Sequence, residues 1–135
     1  MRLVADANVL LSAVLGGRAK LVFGHSQVEE ILTSAPTLAE VEEYAAVLAR
    51  KKRLPPDILL LAVAAMPVTV VEPSQYASSL PQARKLIARR DPDDVEVLAL
   101  TLHLELPLWS NDKDFEGTGI ELLTTEAVLR TLRLI

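Results

Sequence analysis

Acidic residues occur at four places in the chain where their carboxylates could act together. They are Asp6; Glu40; Asp91, Asp93 and Asp94; and Asp112 and Asp114. Each group either directly follows a predicted strand or lies at the start of a predicted helix. In a parallel sheet, the carboxyl ends of the strands and the beginnings of the following helices share one edge. We therefore expect all four groups to gather at that edge.

Carboxylates that lie close together repel one another and raise one another's pKa, and a bound cation relieves the repulsion. The available ligands are hard oxygen atoms, because the chain has no cysteine and its two histidines are far apart. Such ligands favour Mg²⁺ or Mn²⁺ over Zn²⁺. An ion of this kind can activate water and stabilise charge on a phosphoryl group. The sequence thus points to hydrolysis of a phosphodiester.

The acids of the first two groups also have structural interpretations. Asp6 can cap the helix that follows it, which is a common position for aspartate. Thr37 and Glu40 match a capping box, in which the hydroxyl and the carboxylate pair with backbone N–H groups at the start of a helix. Glu43, one turn later, could share or take over the role of Glu40.

The later groups leave similar alternatives open. Asp91 favours a capping role, because Pro92 follows it at the first helical position. Asp93 is expected to face solvent, whereas Asp94 lies on the first turn and could point into the site. Asp112 and Asp114 could form an ordinary polar turn. The convergence of all four groups on one edge favours the chemical interpretation.

The hydrophobic pattern alternates short strands with helices. Strands are predicted over residues 3–5, 28–33, 68–71, 106–110 and 120–123. Helices are predicted over residues 8–14, 37–52, 57–65, 80–90 and 125–134, with another beginning at Asp91. Strands separated by helices connect in parallel and place helices on both faces of a sheet. We expect an α/β fold with one domain over residues 1–135.

Composition limits the possible classes of protein. Half of the residues are hydrophobic, so the chain can bury a core, and the lack of cysteine excludes disulfides and thiolate chemistry. The net charge of −4 argues against nucleic-acid binding by charge alone. The most apolar stretch, residues 58–71, is shorter than the roughly 20 residues of a membrane-spanning helix. Asp6 comes too early for the apolar region of a signal peptide, so we expect a cytoplasmic protein with no membrane partner.

Four segments resemble the motifs of PIN domains, in the same order along the chain. Val4-Ala5-Asp6-Ala7-Asn8 resembles the opening motif, and Thr37-Leu38-Ala39-Glu40 the second. Arg90-Asp91-Pro92-Asp93-Asp94, followed by Leu98-Ala99-Leu100, resembles the third. Trp109-Ser110-Asn111-Asp112-Lys113-Asp114-Phe115 resembles the closing motif. The first and last motifs are the most specific, and the span covers nearly the whole chain.

The resemblance implies a three-layer α/β/α PIN fold and cleavage of RNA that depends on Mg²⁺ or Mn²⁺. The acidic quartet of the family maps onto Asp6, Glu40, Asp94 and Asp112. An auxiliary acid maps onto Asp114, and supporting residues map onto Asn8 and Ser110. Asp94 is preferred over its two neighbours because its spacing to Leu98 matches the family's third motif. The chain is similar to VapC-type toxins, which implies an antitoxin protein as partner and a homodimer.

Two other classes of protein are less favoured. A phosphatase of the Asp-x-Asp type needs a second aspartate after the first strand, and this chain has Asn8 there. A receiver domain needs an aspartate at the end of a central strand, whereas residues 68–71 are followed by Glu72. A PIN-like module that binds RNA or protein without nuclease activity remains the alternative, and absence of metal binding would favour it.

Overall fold

A computed structural model describes all 135 residues and contains one five-stranded sheet in which every strand pair is parallel. The strands are β1 (Arg2–Ala5), β2 (Glu30–Ser34), β3 (Thr69–Val71), β4 (Leu108–Trp109) and β5 (Leu122–Leu123). Their order in the sheet is β3-β2-β1-β4-β5. The predicted α/β class and parallel sheet are confirmed, and β1 is the central strand.

Helices connect the strands and cover both faces of the sheet. They are α1 (Ala7–Val14), α2 (Ala35–Lys51), α3 (Pro56–Ala65), α4 (Pro73–Tyr76), α5 (Leu80–Ile87), α6 (Val95–Leu104) and α7 (Thr125–Thr131). Short 3-10 turns occur at Arg18–Val22, Ala77–Ser79, Pro92–Asp94 and Lys113–Phe115. None of the helices combines the length and the apolar character needed to cross a bilayer.

The sheet separates two apolar cores, as expected from the alternation of side chains along a strand. Leu3 and Ala5 of β1 face the core that is shared with α1, α2, α3 and α7. Val4 faces the opposite core, which is built mainly from α5 and α6. Trp109 is fully buried in the first core and packs beside Phe23. These cores hold the sheet rigidly, so the residues that follow its strands have fixed positions.

The start of α2 differs from the prediction and changes the role of Glu40. The helix begins at Ala35, and its cap is Ser34, whose hydroxyl accepts a hydrogen bond from the Thr37 backbone N–H (3.1 Å). The predicted capping box of Thr37 and Glu40 is therefore wrong. The prediction excluded Pro36 from the helix, although proline is well tolerated in a first turn, where its missing N–H is not needed. Glu40 lies in the second turn, where no capping contact holds its side chain.

Other boundaries shift by a few residues. The predicted helix over residues 80–90 ends at Ile87, and the helix predicted from Asp91 begins with the 3-10 turn Pro92–Asp94 before α6. Asp91 does act as the predicted cap, because its Oδ1 accepts a hydrogen bond from the Asp93 N–H (2.9 Å). The strands predicted over residues 106–110 and 120–123 contain only two paired residues each, since pairing and not apolar character decides strand length.

Candidate active site

The carboxyl ends of β1 and β4 place Asp6 beside Ser110. The two strands are paired with Ala5 opposite Trp109, so the residues that follow them are neighbours. The Asp6 backbone N–H donates to the Trp109 carbonyl (3.2 Å), and the Ser110 hydroxyl donates to Asp6 Oδ2. Residues more than one hundred positions apart in sequence are thus joined by the sheet register.

Asp6 is buried, and both of its carboxylate oxygens have partners. Oδ1 caps α1 by accepting a hydrogen bond from the Val9 N–H (3.2 Å), and Oδ2 accepts from Ser110. Burial nevertheless raises the pKa of Asp6 above its ordinary value, because desolvation outweighs these hydrogen bonds, and the nearby charge of Asp112 acts in the same direction. The capping interpretation of Asp6 is correct, and the same carboxylate also lies in the wall of the acidic pocket described below.

Four aspartates form a tight group from two separate segments of the chain. Asp94 lies in the 3-10 turn before α6 and Asp91 is the cap of that turn, whereas Asp112 and Asp114 come from the turn after β4. One carboxylate oxygen of each lies within 4.8 Å of the others. Asp91 caps this turn with an extended backbone, and its carboxylate lies beside that of Asp94. We refer to these four residues as the Asp cluster.

Backbone hydrogen bonds fix the Asp112 half of the cluster. The Ser110 hydroxyl oxygen accepts from the Asp112 N–H (3.0 Å), and Asp112 Oδ1 accepts from the Asp114 N–H (2.9 Å). Ser110 therefore contacts both Asp6 and the segment that carries the Asp cluster. A single serine links the buried acid to the group of half-buried acids.

Asp94 is the most perturbed carboxylate of the site. Its Oδ2 is shielded from solvent and has no hydrogen-bond partner. Burial raises the pKa of Asp94 to about 8, and the surrounding negative charges of Asp91, Asp112, Asp6 and Asp114 act in the same direction. A buried polar atom without a partner is costly, and such atoms are uncommon in native proteins.

Glu40 lies in the same pocket but outside the Asp cluster. A pocket of about 490 Å³ is lined by Asp6, Asn8, Glu40, Asp91, Asp93, Asp94 and Asp112, and it continues along α2 to Lys51. Partial burial raises the pKa of Glu40, as do the charges of Asp93 and Asp91. Glu43 is exposed and lines a neighbouring depression with Glu40 instead of this pocket.

The donor set fits a hard divalent cation. All candidate ligands are carboxylate oxygens, and Asp94 Oδ2 is a buried oxygen that no group of the protein satisfies. A cation would satisfy this oxygen and offset the mutual repulsion of the acids, which is why oxygen-rich sites of this type suit Mg²⁺ or Mn²⁺.

Sequence reasoning missed one member of the cluster. It favoured a capping role for Asp91, and the structure gives Asp91 that role together with a place beside Asp94. The spacing of three residues between two aspartates was the available signal, but the residue types did not specify how the cap and the turn orient the two side chains. Asp93 is exposed, as predicted, and is not part of the cluster, although it lines the pocket.

The fold and the site together define an α/β protein whose parallel sheet carries a group of acids able to hold a cation. A family model described as the PIN domain matches residues 4–133. The chain belongs to the PIN domain family. Comparison with curated protein sequences finds no significant match.

Solved structures share the fold at low sequence identity. The chain is similar to one in DNA-bound VapBC from Salmonella typhimurium, with a TM-score of 0.73 and 20% identity over 93% of this chain and 98% of that one. VapBC2 from Rickettsia felis, bound to a promoter DNA fragment, gives a TM-score of 0.69 and 12% identity over 92% and 98%. VapC20 from Mycobacterium tuberculosis, a toxin that cleaves the sarcin–ricin loop, gives a TM-score of 0.59 and 19% identity over 87% of this chain and 95% of that one.

Proposed function

We propose that this protein is a metal-dependent endoribonuclease that hydrolyses RNA phosphodiester bonds at the Asp cluster. The observation that carries the proposal is the group of four aspartates, within 4.8 Å of one another, in which Asp94 keeps a buried oxygen without a partner. Membership of the PIN domain family supports the same conclusion. Repulsion between the acids disfavours the folded state, and a bound cation would offset it.

The residues of the pocket would have different roles according to their positions. Asp94 and Asp112 would hold Mg²⁺ or Mn²⁺, with Asp91 and Asp114 beside them in the cluster. Asp6 and Glu40 lie in the same pocket outside the cluster, so they would act through water or on a second ion. Ser110 would fix Asp6 and Asp112 relative to each other. Asn8 would contribute a polar side chain at the pocket wall.

When bound, the ion would supply acidity to water and offset negative charge on the phosphate. In the overall reaction the oxygen of water bonds to phosphorus and the bond to the leaving ribose oxygen breaks. One proton of the water ends on the leaving oxygen, and the other on the phosphate or in solvent. The raised pKa of Asp94, about 8, would let Asp94 itself hold a proton near neutral pH until a cation displaces it.

We also propose that the protein is the toxin of a toxin–antitoxin pair and forms a homodimer. Support comes from the structural neighbours, among them VapBC complexes and a toxin–antitoxin complex from Klebsiella pneumoniae. The matched chains are covered almost completely, so this chain has their size as well as their fold. The pocket beside the Asp cluster is open, and a protein partner could block it.

Cleavage assays test the nuclease proposal. Labelled single-stranded and hairpin RNAs, including a sarcin–ricin loop hairpin, are incubated with the protein and Mg²⁺ or Mn²⁺, or with chelator. We expect cleavage only with metal, and none with Asp112→Asn. The control Asp57→Asn removes the same charge from the exposed start of α3 and should cleave normally. Absence of both cleavage and metal binding would contradict the proposal and favour the module without nuclease activity.

Expression experiments test the toxin proposal. Induction of the wild-type gene should arrest bacterial growth, and Asp112→Asn should not. Co-expression of a small neighbouring reading frame should restore growth and yield a complex in size-exclusion chromatography with light scattering, which also reports whether the free protein is a dimer. Normal growth on induction of a protein that cleaves RNA in vitro would contradict the toxin role while leaving the nuclease intact.

A further inference from the structure

Arg90 joins the two segments that carry the Asp cluster. Its Nη1 donates to the backbone carbonyls of Asp114 (2.7 Å) and Glu116 (2.8 Å). Arg90 itself directly precedes Asp91, whose segment contributes the other half of the cluster. One guanidinium therefore bridges the turn before α6 and the turn after β4.

The positive charge of Arg90 is not used to neutralise an acid. The ion pairs of the structure join Met1 to Glu29, Arg2 to Glu30 and Glu126 to Arg130, and none involves Arg90. Its hydrogen bonds go to carbonyls that take no other partner. A charged donor makes stronger hydrogen bonds to carbonyls than a neutral one does, so this contact suits a bridge between two loops.

Other contacts also anchor the second segment, and the core that contains Phe115 also contains Ile87 and Val95, which flank the first segment. The Phe115 side chain is buried in the core beside α6, and the Asp112 carboxylate caps its own turn. Neither contact involves residues 90–94 through hydrogen bonds. The carbonyls of Asp114 and Glu116 flank Phe115, and Arg90 fixes their orientation.

We infer that Arg90 is a positioning residue that sets the separation of Asp91 and Asp94 from Asp112 and Asp114, and thereby the affinity of the cluster for a divalent cation. This inference rests on the proposed function, because it assumes that the cluster binds the ion. Groups that orient metal ligands from outside the ligand set commonly contribute 10- to 100-fold to affinity, roughly the size expected here.

Electrostatics alone predicts the opposite change in cation affinity when Arg90 is removed, which makes the inference testable. Removal of a positive charge near a cation site should strengthen cation binding slightly. Loss of the bridge should weaken it, because the two halves of the cluster would separate under their mutual repulsion. Arg89 is the matched control: it is exposed, adjacent in sequence, carries the same charge and makes no hydrogen bond to the second segment.

The experiment measures Mn²⁺ affinity by calorimetry in the full chain for the wild type, Arg90→Ala, Arg90→Lys and Arg89→Ala. We expect Arg90→Ala to bind about tenfold or more weakly, and Arg89→Ala to bind as tightly as the wild type or slightly more so. Arg90→Lys should recover part of the affinity, since an ammonium can donate to carbonyls but lacks the planar fork of arginine. Hydrogen exchange without metal should show faster exchange over residues 112–116 only in Arg90→Ala.

Three results would overturn the inference. Mn²⁺ binding by Arg90→Ala as tight as that of Arg89→Ala would leave Arg90 with a charge effect alone, while the proposed function would stand. Unchanged exchange over residues 112–116 would show that the bridge does not hold that segment. Absence of Mn²⁺ binding by the wild type would remove the proposed function and this inference together. If Arg90→Ala does not fold, the comparison of Arg90→Lys with Arg89→Ala decides, and equal affinities there would also overturn the inference.

Discussion

Glu30 and Asp94 are both carboxylates beside the parallel sheet, but they lie at its opposite ends and have opposite surroundings. At the amino end, Glu30 accepts hydrogen bonds from the Arg2 guanidinium (2.9 Å) and the Thr69 hydroxyl (2.8 Å). These contacts lower the pKa of Glu30, with the hydrogen bond from Thr69 as the largest cause. At the carboxyl end, the pKa of Asp94 is raised to about 8, and one of its oxygens has no partner.

The difference distinguishes an acid that stabilises the fold from an acid that we propose binds a cation. The protein supplies a cation and a hydroxyl to Glu30, whose charge is satisfied as soon as the chain folds. It supplies only further carboxylates to Asp94, whose charge would be satisfied by a cation from solution under the proposed function. The four predictions below test this contrast, from the largest expected effect to the smallest.

Asp94→Asn should nearly abolish RNA cleavage, whereas Glu30→Gln should leave it unchanged. A bound metal contributes several kcal/mol of transition-state stabilisation, so we expect a loss of about 100-fold or more in kcat/KM for Asp94→Asn. Single-turnover cleavage with Mn²⁺ measures both variants. Equal activities of the two variants would remove the distinction between the two ends of the sheet.

Ser110→Ala should lower cleavage about 10- to 100-fold, because Ser110 orients Asp6 and Asp112 without binding metal itself. The effect should appear in Mn²⁺ affinity as well as in the rate. The control is Ser79→Ala. Ser79 lies between α4 and α5, and its side chain makes no capping hydrogen bond. A Ser110→Ala protein with normal affinity and rate would show that the link between Asp6 and Asp112 is dispensable.

Metal-free stability should depend on pH through Asp94. Its folded pKa lies above its ordinary value of 3.8, so the folded state binds more protons than the unfolded state between pH 4 and 8. The stabilising contribution is complete below pH 4 and is lost as the pH rises toward 8. After allowance for solvent screening, we expect the free energy of unfolding of Asp94→Asn to exceed that of the wild type by about 1–2 kcal/mol at pH 8. At pH 4 the two free energies should be equal.

Urea unfolding in chelator at several pH values measures this difference directly. Mn²⁺ should stabilise the wild type at pH 8 by mass action and should not stabilise Asp94→Asn to the same extent. A wild type that is more stable than Asp94→Asn at pH 8 without metal would contradict the description of Asp94 as an acid whose charge opposes folding.

Glu30→Gln should have the smallest effect, and its pH dependence should have the opposite sign. The folded pKa of Glu30 lies below its ordinary value of 4.5, so its contribution is present above that pH and is lost as the pH falls through the folded pKa. Because the pair with Arg2 is partly exposed, we expect Glu30→Gln to lower the free energy of unfolding by at most about 1 kcal/mol at pH 7. Urea unfolding at pH 7 and pH 3 measures it, and a loss that persists at pH 3 would indicate a packing effect instead.

Much of the architecture could be predicted from the sequence because its signals are local. Apolar strands followed directly by Asp6, or by Asp112 and Asp114, placed these acids at the carboxyl edge once the sheet was known to be parallel. The Ser110 contact with Asp6 followed from the register of β1 and β4, which no local pattern encodes. The presence of both residues in the site could be predicted, but their contact could not.

The remaining features depended on backbone geometry that the residue types did not specify. Ser34 competed with Thr37 as the cap of α2, and the outcome freed Glu40 from a capping role. Asp91 caps the 3-10 turn before α6, and this geometry places its carboxylate in the cluster beside Asp94. Arg90 contacts the backbone carbonyls of Asp114 and Glu116, which lie more than twenty positions away in the sequence. Every residue has a backbone carbonyl, so the residue types at these positions gave no indication of the contact.

The most direct test of the central claim is to locate the cation. Crystals of the wild type are soaked in MnCl₂ and anomalous diffraction data are collected at a wavelength where manganese scatters strongly. We predict an anomalous peak between the carboxylates of Asp94 and Asp112, and none at Glu30. A peak confined to other acids, such as Glu43, or no peak at saturating Mn²⁺ would contradict the claim that the Asp cluster is built to hold a divalent ion.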